Sequence, residues 1–190
     1  MLQKRINTGR YRDFAKISPG RFSRSPSLGK NHGTRHKILQ IDGLLRLRKR
    51  WAEQGRTVVF TNGVFDILHA GHVELLERAA DLGDALIVGV NSDASARRLD
   101  KGPGRPIQPL KDRARILAGL ACVDAVVPFR EDTPERVLSF IRPEVLVKGA
   151  DYRPGQVAGG RHVGRVALLP LKRGRSTTSI IERILKLKKN

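Results

Sequence analysis

Residues 57–90 read TVVFTNGVFDILHAGHVELLERAADLGDALIVGV, and this stretch decides the fold. It opens with a short apolar run at 57–61 and closes with another at 85–90, and both runs are typical of strands buried on both faces. Between them, apolar residues recur at helical spacing from Val73 to Ala80. A strand, a helix and a second strand in this order predict two parallel strands joined by a crossover helix.

The same alternation continues on both sides of this stretch. It predicts helices at 38–54, 110–121 and 178–188, and strands at 123–127, 145–147 and 166–169. A further helix is expected after the third strand, with Thr133 as its N-cap and Pro134 at its first position. In the last helix the apolar residues are spaced to face inward, namely Ile180, Ile181, Ile184 and Leu185.

We therefore predict an α/β fold, a doubly wound, Rossmann-like sheet of five parallel strands with helices on both faces. A single domain at 37–190 holds all of these elements. Ligands of such sheets bind beyond the carboxyl ends of the strands, so the loops at those ends are the place to search for function.

The N-terminal residues 1–36 differ in composition from this domain. They are rich in Arg, Ser, Gly and Pro, show no apolar periodicity, and predict a disordered basic tail. Ten basic residues and one acid, Asp13, lie in 1–37, and the whole chain has a formal net charge of +19. Such a field attracts polyanions of any kind. A solvated tail, a nucleic-acid contact and a targeting segment are three readings of this composition.

Other classes of protein are disfavoured by composition. No apolar run approaches the roughly 20 residues that a membrane-spanning helix needs. The lone Cys122 excludes an intramolecular disulfide, so a reducing compartment and a cytoplasmic location are expected. Aromatic residues make up 5% of the chain and do not interleave with a basic stripe, which argues against a protein that binds nucleic acid through its basic tail.

The loop after the first strand carries residues suited to phosphate. Gly63 relaxes the backbone just after the strand, and Gly71 leaves room for a ligand to approach the chain. His69 and His72 lie at the mouth of the next helix, whose free N–H groups and partial positive charge attract anions. Capping or metal-binding histidines are the plainer alternative, but no third zinc ligand is near.

Residues 61–72 resemble the signature of the cytidylyltransferase-like nucleotidyltransferases, whose core is His-x-Gly-His. Further matches are Val90-Asn91-Ser92-Asp93, Arg105-Pro106, Arg113 and the segments 147–152 and 174–181. Together, over residues 38–188, they are similar to the adenylyltransferases that act on D-glycero-D-manno-heptose 1-phosphate. Those enzymes occur alone or as the C-terminal half of a bifunctional heptose kinase/adenylyltransferase, and we expect the stand-alone form. The stretch 158–165 is shorter than in the family pattern, on the acceptor side.

The resemblance implies transfer of AMP from ATP to a heptose 1-phosphate, with Mg²⁺ accompanying ATP and with pyrophosphate and ADP-heptose as products. It implies no membrane partner and leaves a homo-oligomer open. The implied catalytic residues are His69, His72 and Lys148. The implied nucleotide-binding residues are Thr61, Asn62, Gly63, Phe65, Gly71, Gly149, Asp151, Arg175, Ser176, Thr177 and Thr178. The implied acceptor-binding residues are Asn91, Asp93, Arg105 and Arg113, with Lys101 a further candidate for phosphate.

The roles of three polar residues and the choice of nucleotide remain open from the sequence. Asp66 is expected to fix its loop by hydrogen bonding rather than to bind a ligand, and Asn91 and Asp93 fit a simple turn and helix cap as well as an acceptor site. A sister cytidylyltransferase that uses CTP with glycerol 3-phosphate or phosphoethanolamine is the nearest rival. The Asn-Ser-Asp and Lys-Gly-x-Asp-Tyr matches favour the heptose enzyme over it.

Overall fold

A five-stranded parallel sheet forms the centre of the fold, in a computed structural model that describes residues 33–100, 102–150, 157–170 and 174–187. Its strands lie in the spatial order β3-β2-β1-β4-β5, so the sheet grows outward from β1 in both directions. All four pairings are parallel. The strands are β1 (Val58–Gly63), β2 (Ala85–Asn91), β3 (Ala125–Phe129), β4 (Val145–Gly149) and β5 (Arg165–Leu169). This arrangement confirms the predicted doubly wound fold.

Six α-helices connect or flank these strands in the described parts of the chain. They are α1 (Ile41–Glu53), α2 (Ala70–Ala80), α3 (Asp93–Arg98), α4 (Leu110–Ala118), α5 (Glu135–Ile141) and α6 (Thr177–Leu187). In those same parts, none of the helices combines the length and the apolar character needed to cross a bilayer.

Two apolar cores lie on opposite faces of the sheet. Successive side chains of a strand point to opposite faces, so Phe60 of β1 joins one core and Val59 the other. Leu44 of α1 belongs to the core that contains Phe60, and Leu76 of α2 to the core that contains Val59. Each such fully buried side chain stabilises the fold by about 1.5–3 kcal/mol. The sheet is therefore rigid, and its strand ends are fixed points for the site.

The first helix begins later than the sequence predicts. Ile38 forms a parallel bridge with Val126 instead of a helical turn, and the Leu39 N–H donates to the Val126 carbonyl at 2.9 Å. Because β3 lies at the edge of the sheet, its open backbone groups accept this short extended segment. The helix then starts at Ile41.

Two further expectations about helices are wrong, and one helix lies outside the predicted set. Pro134, and not Thr133, occupies the N-cap of α5, because its carbonyl already accepts the N–H of Leu138 at 2.9 Å and begins the helical ladder. The short helix α3 was not expected. In α6, Ile184 and Leu185 are 57% and 55% exposed rather than facing inward. The apolar period identifies the apolar face of a helix, but it does not supply an element to cover that face.

Candidate active site

The loop that follows β1 is fixed by Asp66, as the sequence leads one to expect. Its carboxylate is buried and accepts three hydrogen bonds. One comes from the Nε of Arg105 at 2.8 Å, and two come from the backbone N–H groups of Ile107 and Gln108 at 2.7 and 3.0 Å. Asp66 thus joins the exit of β1 to the segment that precedes α4.

Arg113 of α4 is a second crosslink, and its side chain is wholly buried. Its guanidinium donates to the carbonyls at the ends of two strands, Val64 O at 2.5 Å and Asn91 O at 2.9 Å. It also donates to the Gln108 carbonyl at 3.0 Å and to Oδ1 of Asp93 at 2.7 Å. Such multiple charge-assisted bonds need the planar fork of Arg. The exits of β1 and β2 are held in one arrangement by this side chain.

The predicted acceptor residues Asn91 and Asp93 flank Ser92 at the start of α3. The Asn91 amide donates to Oγ of Ser95 at 2.9 Å, and Asp93 Oδ1 also accepts the N–H of Leu110 at 2.8 Å. Ser92 supplies the N-cap, because its Oγ accepts the Ser95 N–H at 3.2 Å. These bonds agree with the turn-and-cap alternative. The acceptor-binding assignment of Asn91, Asp93, Arg105 and Arg113 stays a prediction.

Three aromatic rings are packed in a row at the N-terminus of α2. The imidazoles of His69 and His72 are stacked, with centroids 3.8 Å apart and planes 21° from parallel. Phe65 meets His72 edge to face, with centroids 5.2 Å apart. A Cβ on Gly71 would lie 3.1 Å from Nδ1 of His69 and 3.2 Å from Cβ of Arg175, so the glycine makes room for this packing.

The surroundings of both imidazoles favour their neutral form. Burial, and then the neighbouring His69, lower the pKa of His72 to about 4, while a hydrogen bond with the Ile67 backbone opposes the shift. Burial and the positive charge of Arg175 lower the pKa of His69 below its usual range. The Nδ1 atoms of both rings are buried and have no hydrogen-bond partner in the described parts of the protein. A buried polar atom without a partner is rare in a folded protein, and a role in binding or catalysis is one explanation for it.

The N-terminus of α6 lies against the same loop. Thr177 is buried, and its Oγ1 donates to the Ile67 carbonyl at 3.4 Å. The backbone of Ile67 is also the hydrogen-bond partner of His72. Ser176 caps the helix, because its Oγ accepts the Ser179 N–H at 3.1 Å. Thr178 is exposed. Two helix N-termini, those of α2 and α6, therefore meet at the histidine pair and offer an anion site.

Lys148 completes the site from the neighbouring strand β4. Its side chain is largely buried, and its ammonium group donates to Oδ1 of Asn62 at 2.5 Å. Thr61 ties the same two strands together, since its Oγ1 donates to the Val147 carbonyl at 3.1 Å. The carboxyl ends of β1 and β4 thus present a lysine next to the loop that carries the histidines.

The structure brings together the sequence-predicted residues His69, His72, Gly71, Arg175 and Thr177, and pairs Lys148 with Asn62. Asp151 and Lys101 lie outside the described residues. Sequence reasoning missed Val64, Gln108 and Ser95, which take part through backbone or cap hydrogen bonds. A backbone carbonyl has no sequence signature, so only Ser92, a preferred N-cap residue three positions before Ser95, left a signal that could have been found.

These features are those of a nucleotidyltransferase: an α/β sheet with two helix N-termini suited to anions and a histidine pair in the loop after its central strand. A model of the family "Cytidylyltransferase-like" matches residues 60–183, which is more than half of the chain. The chain belongs to this family of nucleotidyltransferases.

Two relatives with identities above 50% indicate which proteins of the family this chain is similar to. The chain is 52% identical over 161 residues to the bifunctional protein HldE of Syntrophotalea carbinolica, covering 79% of this chain and 33% of that protein. It is 58% identical over 139 residues to the bifunctional protein HldE of Magnetococcus marinus, covering 71% and 28%. The chain thus spans about a third of the length of these relatives. A pantoate-beta-alanine ligase structure from Francisella tularensis shares the fold, with a TM-score of 0.51 at 15% identity over 80% of this chain and 79% of that one.

Proposed function

We propose that this protein transfers AMP from ATP to a heptose 1-phosphate and releases pyrophosphate, giving ADP-heptose. The observation that carries the proposal is the convergence of His69, His72, Arg175 and Thr177 where the N-termini of α2 and α6 meet. The choice of adenosine and heptose rests on the motif resemblance, and it is supported by identities above 50% to proteins named HldE.

The reaction needs no nucleophile or general base from the protein. A sugar 1-phosphate is largely a dianion at pH 7, since the second pKa of a phosphate monoester is about 6. One of its oxygens attacks the α-phosphorus of ATP, a new P–O bond forms, and the bond to the bridging oxygen breaks in line. The electron pair of that bond leaves with pyrophosphate. The protein must hold two polyanions in line and stabilise the charge that develops in transfer.

The histidine pair is suited to that task. Two neutral imidazoles at a helix N-terminus donate hydrogen bonds without bringing a fixed charge, and each can gain proton affinity as negative charge accumulates on the phosphates. Their unpartnered Nδ1 atoms are free for this role. Thr177, Ser176 and the free N–H groups of α6 would hold the β- and γ-phosphates. Lys148 would approach the phosphate from the end of β4.

Magnesium is proposed as part of the substrate, MgATP. Within the described residues no group of three or more His, Cys, Asp or Glu side chains is placed to hold a metal ion. Both oxygens of Asp66 already accept hydrogen bonds, and Oδ1 of Asp93 accepts two. Mg²⁺ usually binds phosphates together with few protein ligands, so its arrival with ATP fits this set of donors.

Arg105 and Arg113 are proposed to act by holding the loops of the site in position. Arg105 pairs with the buried Asp66, and Arg113 spends its guanidinium on four acceptors of the chain itself. Their effect on the acceptor would pass through the loops that they hold.

The test is pyrophosphate release from ATP, CTP, GTP and UTP against heptose 1-phosphate, glycerol 3-phosphate and phosphoethanolamine, with products identified by mass spectrometry. We expect turnover with ATP and heptose 1-phosphate only. His72→Ala should abolish most of it, while His36→Ala, at an exposed histidine whose ring contacts the Gly33 carbonyl away from the site, should leave it intact. Turnover with CTP and glycerol 3-phosphate in place of ATP and the heptose would overturn the proposal.

A further inference from the structure

We propose that Phe65 is a positioning residue that acts through His72, by fixing the orientation of the imidazole and keeping water from it. The catalytic part of this inference rests on the proposed function. The part that concerns the free protein does not.

The backbone of Phe65 adopts a conformation that is energetically unfavourable for a bulky residue. Its φ of 49° is in the left-handed region, which bulky side chains rarely adopt. Such conformations persist where the surroundings determine them, and they cluster at functional sites. Here the unusual turn directs the ring inward, where Phe65 is 7% exposed and packs in the same core as Val59 and Leu76.

The ring is in contact with both a glycine and a histidine. A Cβ on Gly63 would approach Cε2 of Phe65 at 3.1 Å and Cζ at 3.4 Å. The same ring meets His72 at 64° between planes. The order of contacts is therefore Gly63, Phe65, His72, His69 and Gly71. Both glycines of the loop leave space for this row of rings.

Packing helps to set the orientation of His72, because only one of its two ring nitrogens has a hydrogen-bond partner among the described residues, the Ile67 backbone. A catalytic histidine is usually oriented by a hydrogen bond from its second ring nitrogen. Nδ1 of His72 has no such partner among the described residues, and neither has Nδ1 of His69. The rings in contact with His72 are those of His69, stacked on it, and Phe65, edge to face, so Phe65 adds a packing restraint to the single hydrogen bond that His72 makes with the Ile67 backbone.

Replacing the Phe65 ring with a smaller side chain should have two separable effects, one on the pKa of His72 and one on kcat. In Phe65→Leu, water reaches His72, and since burial is the largest cause of its low pKa, that pKa should rise from about 4 toward 6.5. The titratable and charged neighbours that act on the pair, His69 and Arg175, are unchanged in this variant. With its imidazole less well oriented, the enzyme should lose about tenfold or more in kcat, while KM for ATP changes by less than about threefold.

Gly63→Ala perturbs the same row from its far end. The added methyl group must displace the Phe65 ring and so disturb its contact with His72, and kcat should fall. In the Phe65→Leu background the Cε2 and Cζ atoms that the methyl would meet are absent. The two substitutions should therefore be strongly non-additive. Two residues that acted independently on ATP would give multiplied losses instead.

The experiment combines NMR titration of the His72 Cε1–H in the free protein with steady-state kinetics. Phe60→Leu is the matched control, since Phe60 is buried in the opposite core and should leave both the His72 pKa and kcat near those of the wild type. The inference is overturned if Phe65→Leu leaves the His72 titration unmoved, or if Gly63→Ala and Phe65→Leu multiply. If the wild type turns over none of the sugar phosphates, the proposed function fails, and the titration still decides the role of Phe65.

Discussion

Replacing Arg113 with Met removes a wholly buried guanidinium while keeping much of the bulk of its stem. Three backbone carbonyls, of Val64, Asn91 and Gln108, lose a donor, and the Asp93 carboxylate loses its ion pair. Breaking a buried pair from one side costs about 3–5 kcal/mol. The Asp93 side chain is 32% exposed, so water can replace part of the lost interaction and the lower end applies. We expect the free energy of unfolding to fall by about 3 kcal/mol, or the Tm by about 6–12 °C for a domain of this size.

Urea unfolding followed by circular dichroism measures this loss. Arg115→Met is the control on the same helix, because Arg115 is exposed and donates from the surface to Oγ1 of Thr34. It should change stability by less than about 0.5 kcal/mol. Arg113→Lys should not restore stability, since one ammonium group cannot span four acceptors. An Arg113→Met protein as stable as the wild type but with a raised KM for the sugar phosphate would refute the reasoning and make Arg113 a substrate ligand.

Three more results are expected. The folded-state pKa of His72, about 4, lies below the ordinary 6.5, so the unfolded chain binds a proton first and stability is complete above pH 6.5 and falls toward pH 4. After a discount for partial exposure, this single group should account for about 2 kcal/mol; urea unfolding at pH 7 and pH 4.5 should show a smaller pH effect in His72→Asn than in the wild type, and equal effects would count against the assignment. Thr177→Ala should raise KM for ATP more than it lowers kcat, because its hydroxyl would touch phosphate in ground and transition states alike; a fall in kcat alone would contradict this role. Deleting residues 1–32 should leave kcat/KM within a few-fold, and a loss beyond about a hundredfold would show that the tail takes part in turnover.

The strands and the position of the histidine loop, residues 61–72, could be predicted because their signals are local. Apolar runs such as 85–90 and the helical spacing of α2 reflect which residues are buried. This pattern can be read from neighbouring positions in the sequence. The rule that ligands bind at strand ends then directed attention to His69 and His72. Lys148 followed by the same reasoning, at the end of a different strand.

The partners of buried charges could not be predicted, because they depend on distant segments. Arg105 and Asp66 are a pair only because the loop before α4 returns to the exit of β1. The bridge between Ile38 and Val126 likewise depends on β3 lying at the edge of the sheet, and spatial strand order has no local signature. The exposed Ile184 shows the same limit. The apolar period of α6 predicts which face of the helix is apolar, but not which element packs against that face.

The most direct test of the account is the effect of His72→Ala on turnover and on ATP affinity, measured by steady-state kinetics and by calorimetry. If the histidine pair stabilises charge that develops during transfer, kcat should fall by about 10²–10³. The Kd for ATP should stay within a few-fold of the wild type, and the circular dichroism spectrum should not change. A variant with normal kcat and only weakened ATP binding would show that His72 holds the nucleotide without assisting the reaction.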